Sequence, residues 1–104
     1  MELKRVVVTG LGAITPIGND VATTWSNALA GVSGAGPLTH FDASLFKTQF
    51  ACEVKGFNAA DHFDRKAVRT LDLYAQYALV AAAQAVDDAN LAAESVDKTR
   101  VGVV

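Results

Sequence analysis

Four groups of residues in this chain have types and spacings that could do chemistry. The first is Gly10-Leu-Gly12-Ala-Ile-Thr15-Pro16-Ile-Gly18, a glycine-rich turn that directly follows the apolar run Val6–Val8. Such a turn suggests a dinucleotide cradle, which needs G-x-G-x-x-G so that a helix opens onto the pyrophosphate. Gly10 and Gly12 fit, but Thr15 stands at the third glycine position, and Pro16 pushes Thr15 away from helical dihedrals. The related pattern T-G-x-x-x-G-x-G fails too, because Ile14 and Pro16 occupy its later glycines. No acidic ribose clamp follows about twenty residues on. The turn therefore reads as a structural exit from a strand, and a nucleotide-binding oxidoreductase is the weakest functional reading.

Cys52 is the single cysteine, which excludes an internal disulfide and fits a reducing compartment. A nucleophilic thiol needs a helix N-terminus, a cation or an imidazole beside it. Cys52 lies between Ala51 and Glu53 in a segment that reads as extended, so a buried structural thiol is expected. His40 and His62 share no metal-ligand spacing with it, and neither a metal nor a cofactor is expected. His62 reads as a surface residue ahead of a helix.

The remaining group is Arg65, Lys66 and Arg69 at the start of a long helical pattern. Cations in the first turns of a helix oppose its macrodipole, at a cost of roughly 0.3–1 kcal/mol each on the surface. Arg65 can reach Asp61 and Arg69 can reach Asp72 across one turn, which offsets part of this. The cluster reads either as a solvated charged turn or as a dock for an anionic partner.

The elements that position these groups are an α/β set. Arg5–Gly12 reads as a strand without polar alternation, hence one covered on both faces. A helix starts at Asn19 or Asp20 and stops at Gly31, with Val21, Trp25, Ala28 and Leu29 as its inward stripe. Residues 31–37 form a loop, and 46–54 a short extended piece alternating through Phe46, Thr48, Phe50, Cys52 and Val54. Asp64 caps a long helix whose stripe is Val68, Leu71, Ala75, Ala78, Leu79, Ala82, Val86 and Ala89, with Asn90 as its left-handed terminator. Between Thr70 and Val86 only Asp72 is charged, and Leu73, Tyr77, Val80, Ala81 and Ala83 lie off the stripe. A helix so apolar is expected to be buried on most sides, its alanines allowing close backbone approach. Residues 98–104 read as a charged lead-in to a second buried strand.

With 104 residues and a net charge of −2, the chain has the size of one domain and no polybasic footprint for nucleic acid or membrane. The first apolar run stops at Thr9, so no leader is read, no membrane span is present in the pattern, and the cytoplasm is the expected location. Hydrophobic residues make up 51% and charged residues 19%, which is apolar for so small a domain. One strand and one short helix are too little to cover the long helix. Residues 1–104 are thus expected to be the N-terminal part of a larger α/β protein, interrupted inside a core strand.

Several motifs in register resemble one family. Arg5-Val-Val-Val-Thr-Gly-Leu-Gly-Ala-Ile-Thr-Pro-Ile-Gly-Asn19, then Val21…Trp25…Leu29-Ala-Gly-Val-Ser-Gly34, resemble the opening of the β-ketoacyl-acyl-carrier-protein synthases, most nearly the elongating type II enzymes. His40-Phe-Asp42, Phe57-Asn58, Asp64-Arg-Lys66, Arg69-Thr-Leu-Asp72 and Tyr77-Ala-Leu-Val-Ala-Ala-Ala-Gln-Ala85 match in order and spacing. The resemblance implies a thiolase-like layered fold. Residues 5–12 would be its first core strand, 64–89 a helix buried between layers, and 101–104 the start of the second core strand. It implies decarboxylative condensation of an acyl thioester with malonyl-carrier protein, by a cysteine and two histidines that all lie beyond Val104. No catalytic residue is then expected in this chain. Partners implied are the acyl- and malonyl-loaded acyl carrier protein and a second copy of the complete protein. Lys66 and Arg69, with Arg65, map onto the basic helix start that meets the carrier's acidic helix. Thr70 departs from the pattern, since relatives often have lysine there. A standalone module that binds an acidic carrier helix through the same three cations is the alternative.

Overall fold

The first helix begins where its residue types require. In the computed structural model, which describes residues 1–104, Asp20 is extended and its Oδ1 accepts the Thr23 N–H at 2.7 Å, opening α1 (Val21–Leu29). Gly31 ends the helix region with φ 71°, a left-handed conformation that glycine adopts freely. The expected inward stripe of α1 holds only at Val21, which is half-buried. Trp25 is 64% exposed and Leu29 also faces outward, while Thr24 and Asn27 face the chain. The turn before α1 sets this orientation. Asn27 Nδ2 donates to the Ile17 carbonyl at 2.6 Å, and the Thr15 and Thr24 hydroxyls lie 3.0 Å apart. A turn carbonyl outside any ladder needs a donor, and the polar face of α1 supplies it.

The sheet is minimal. β1 (Gly36–Pro37) and β2 (Phe50–Ala51) pair antiparallel, Gly36 opposite Ala51 and Pro37 opposite Phe50. The ladder thus takes in the end of the expected loop as well as the expected extended piece. Parity along β2 is the reverse of expectation: Ala51 and Glu53 are half-buried, whereas Phe50 and Cys52 are exposed. Cys52 is therefore not a buried thiol, because no layer covers the outer face of β2.

The long helix is two helices. α2 (Arg65–Thr70) and α3 (Leu73–Asp88) are separated by Leu71 (ψ 127°) and Asp72 (ψ 157°), both extended. Asp64 caps α2 and Asn90 lies at φ 53°, both as the sequence suggests. The interruption has a local cause. The Thr70 hydroxyl donates back to the Lys66 carbonyl at 3.0 Å, a bond that bends helices, and Asp72 prefers the cap conformation that starts α3. Short 3₁₀ turns cover Ala59–Asp61 and Lys98–Arg100.

Neither expected core strand forms. Residues 1–14 and 101–104 carry no ladder, and Val6, Val7, Val8, Val103 and Val104 are exposed. A strand exists through its partner's hydrogen bonds, and no other strand of this chain lies beside either segment. The expected burial of 64–89 is likewise not realised within this chain. Gln76 and Val80 are its buried members, while Leu73, Tyr74, Leu79 and Val86 face outward. The accessible surface is 8606 Å², against roughly 5,600 Å² for a folded monomer of this mass. The radius of gyration is 17.6 Å, where a compact chain of this length has about 13 Å. No helix is long and apolar enough to cross a membrane.

What order the chain has comes from the glycine turn seated on α3. A Cβ on Gly10 would lie 2.5 Å from the Ala85 carbonyl oxygen and 2.7 Å from the Ala89 Cβ; one on Gly12 would overlap the Ala81 carbonyl. The glycines let the backbone touch the alanine face of α3, and two α3 side chains complete the seat. Gln84 Oε1 accepts the Ala13 N–H at 3.0 Å while its Nε2 donates to the Asn19 carbonyl at 2.8 Å. Asp88 Oδ2 accepts the Leu11 N–H at 3.0 Å. Lys55 ties the next loops, its ammonium donating to the carbonyls of Gly34 (2.8 Å), Glu53 (3.0 Å) and Pro16 (3.3 Å).

Gly12→Ala in the complete protein should cost about 2 kcal/mol or more, because helix backbone cannot yield as a flexible side chain does. Gly36→Ala, which meets open space, should stay within about 0.5 kcal/mol. Chemical denaturation of both variants checks this, and equal losses would refute the packing role of Gly12.

Candidate functional site

The three cations sit on α2, and α2 is held at both ends. At its start the Asp64 Oδ1 accepts the Ala67 N–H at 2.8 Å. Just before it, the Phe57 ring stacks on His62 at 5.4 Å and meets the edge of Tyr77 at 4.9 Å, so an α3 aromatic braces the approach to the cap. At its end Gln76 of α3 reaches back across the break, donating from Nε2 to the carbonyl of Leu71, the residue that caps α2, at 3.0 Å and to that of Val68, within α2, at 3.4 Å.

Arg65, Lys66 and Arg69 are all exposed. The expected pairs to Asp61 and Asp72 do not form: no lysine or arginine nitrogen lies within 4.0 Å of a carboxylate oxygen, the one such contact in the chain being made by His40 to Glu53. Asp61 is engaged elsewhere, its Oδ1 accepting the Asn58 amide at 3.2 Å. The break after Thr70 also changes the dipole balance. Arg69 now lies in the last turn of α2, where a cation is favourable, and only Arg65 and Lys66 stand in the unfavourable first turn. The three cations are exposed and make no ion pair within 4.0 Å, although Asp61, Asp64 and Asp72 stand near them in the sequence.

The other sequence candidates are dispersed. Cys52 flanks β2 and does not sit at a helix N-terminus. His62 belongs to the Phe57 stack and His40 lies beside Glu53, with Nε2 3.8 Å from Oε1. No group of histidine, cysteine and acidic side chains could hold a metal ion. The glycine turn is pressed onto α3, so the side on which Gly10 and Gly12 lack a Cβ is filled by helix backbone. Gln76 and Gln84 are the residues that sequence reading missed. Two amides within a stretch that carries no charge from Leu73 to Val86 were the available signal.

Glu53 anchors the segment carrying the His40-Phe41-Asp42 motif. Its carboxylate accepts the Thr39 hydroxyl at 2.6 Å, the Thr39 N–H at 3.0 Å and the His40 N–H at 3.4 Å. These bonds, led by the Thr39 hydroxyl, hold the Glu53 carboxyl below its ordinary 4.5.

The profile of the beta-ketoacyl synthase N-terminal domain matches residues 3–104. The chain is 50% identical over 100 residues to a 3-oxoacyl-[acyl-carrier-protein] synthase 2 of Staphylococcus aureus (strain COL), covering 96% of this chain and 24% of that one. To the protein of the same name from Coxiella burnetii it is 47% identical over 103 residues, covering 99% and 25%. Among solved structures, the ishigamide ketosynthase/chain length factor superposes with a TM-score of 0.73 at 35% identity, over 92% of this chain and 23% of that chain. The chain spans about a quarter of the length of the curated relatives it matches.

A group whose folded pKa is depressed contributes stability above its unfolded value and loses it as pH falls through the folded one. The Thr39 amide resonance should therefore titrate with a midpoint below 4.5, and Glu53→Gln should abolish that titration. A midpoint at or above 4.5 in an NMR pH series would refute the anchoring role.

Proposed function

The chain belongs to the β-ketoacyl synthase family, and we propose that it is the N-terminal portion of a 3-oxoacyl-acyl-carrier-protein synthase of the elongating type II kind. Its fold is the opening of a thiolase-like ketosynthase domain. The observation that carries the proposal is the family match over residues 3–104 together with 50% identity over 100 residues to a synthase of that name. The alternatives, a standalone carrier-binding module and a nucleotide-binding oxidoreductase, have no such support.

In the proposed reaction a cysteine thiolate attacks the acyl thioester, forming a new C–S bond as the carrier thiol leaves. The malonyl thioester then loses CO2, and the electron pair of the broken C–C bond stays on its methylene carbon. That carbanion attacks the enzyme-bound thioester, forms the new C–C bond and expels the cysteine thiolate. Two histidines hydrogen-bond the malonyl thioester oxygen while charge gathers there. These groups belong to the part of the protein beyond the quarter described. The role proposed for this chain is to carry the basic tip, Arg65, Lys66 and Arg69, onto which the acidic helix of the acyl- or malonyl-loaded carrier docks. The complete protein is proposed to work in the cytoplasm as a homodimer.

Exposed charges of this sort act mainly on encounter, and their effect falls as salt rises. In the full-length enzyme, Lys66→Glu with Arg69→Glu should raise KM for carrier-bound substrate several-fold at low salt. It should leave kcat and reaction with a small carrier-free acyl thioester nearly unchanged. Equal loss of kcat with both substrates would assign the cluster to the catalytic fold, and no change would return it to a solvated turn. The 104-residue chain by itself should show no condensation and no acyl transfer to Cys52. Mass-spectrometric detection of acylated Cys52 after incubation with acyl-carrier protein would overturn this.

A further inference from the structure

One side chain bridges the break between α2 and α3. Gln76 is the most enclosed residue of the chain, 3% exposed. Its Nε2 is 3.0 Å from the Leu71 carbonyl oxygen and 3.4 Å from that of Val68. These carbonyls close α2, where no following turn offers N–H groups. Two carbonyls can be satisfied only by donors, which fixes the amide's orientation. Its Oε1 is buried without a partner in this chain, so the donor end carries the attachment.

We propose that Gln76 is a positioning residue for carrier-protein docking: it fixes the direction of α2 against α3 and so aims Arg65, Lys66 and Arg69 as one surface. The inference rests on the docking role proposed above for that cluster. α2 has six residues, too short to hold its shape or direction unaided. Its first turn is fixed by its own Asp64 cap, which lies on the same segment and gives no direction relative to α3. The Phe57–Tyr77 contact braces the approach to α2. At its far end the hydrogen-bonded tie to α3 is Gln76, through carbonyls beside Arg69. Loss of that tie leaves the charges in place and lets their arrangement spread. Steering of an acidic partner depends on that arrangement.

The test uses the full-length enzyme with Gln76→Met, which keeps the volume and removes both hydrogen bonds. KM for carrier-bound substrate should rise roughly twofold to threefold at low salt, no more than the charge reversal raises it, because the charges remain and only their arrangement spreads. The increase should shrink at high salt, with kcat and the small-thioester reaction unchanged. Added to Lys66→Glu and Arg69→Glu, Gln76→Met should have little further effect, since all act on one surface. If the charge reversal raises KM and Gln76→Met does not, the proposal is wrong and the docking role stands. If neither moves KM, the docking role itself fails. Equal loss of kcat for both substrates in Gln76→Met would place the residue in the catalytic fold and overturn the proposal. Should Gln76→Met fail to fold, Gln76→Asn, one methylene short of the carbonyls, is read on the same scale, and an unchanged KM there also overturns it.

Discussion

The contact on which everything else hangs is backbone against backbone. Gly10 and Gly12 lie directly on the Ala81, Ala85 and Ala89 face of α3, with no side chain between them. That proximity brings Leu11 and Ala13 within reach of Asp88 and Gln84, and Gln84 in turn reaches Asn19. The Thr15–Gly18 turn is then fixed, and α1 is fixed to the turn through Asn27 and Thr24. Lys55 extends the same order to the loops at 34 and 53. Removing the glycine seat would loosen each of these in sequence. Glycines that resemble a nucleotide cradle thus serve helix packing.

The same helix governs the basic tip. α3 offers its alanines to the glycine turn on one stretch and Gln76 and Tyr77 to α2 on another. A scaffold helix thereby relates an interior turn to an exposed charged surface. Charges on a short helix would otherwise point wherever the chain allowed. Their lack of ion-pair partners leaves them open to an external one: Asp64, the acidic residue next to Arg65, accepts the Ala67 N–H, and Asp61 is engaged by Asn58.

Local signals in the sequence were legible where the physics is local. Asp20, Gly31, Asp64 and Asn90 each do what their residue type does at a helix end. The alanine-rich helix admits close backbone approach, as its composition indicated. What depends on neighbours was not legible. Val6–Val8 and Val101–Val104 have strand composition but no ladder partner within these residues. Trp25 and Leu29 form an apolar stripe, yet the turn's carbonyls claimed the opposite face of α1. The break at Leu71 was hidden because a periodicity count passes over Thr70 and Asp72. The basic cluster was visible as residues, whereas its mount, Gln76, looked like an ordinary polar interruption. The family itself was legible because seven motifs stand in register.

The bonds that seat the glycine turn also impose a timetable. Leu11 and Asp88 are 77 positions apart, and Ala13 and Gln84 are 71. A ribosome adding about 5–20 residues each second needs roughly 4–15 s to supply the second partner after the first. Through that interval the bare glycine backbone has nothing to rest on, and closing so long a loop carries an entropic cost paid late. The seat on α3 is thus a structure that cannot begin at the beginning: its first-made residues wait for partners made 71 and 77 positions later.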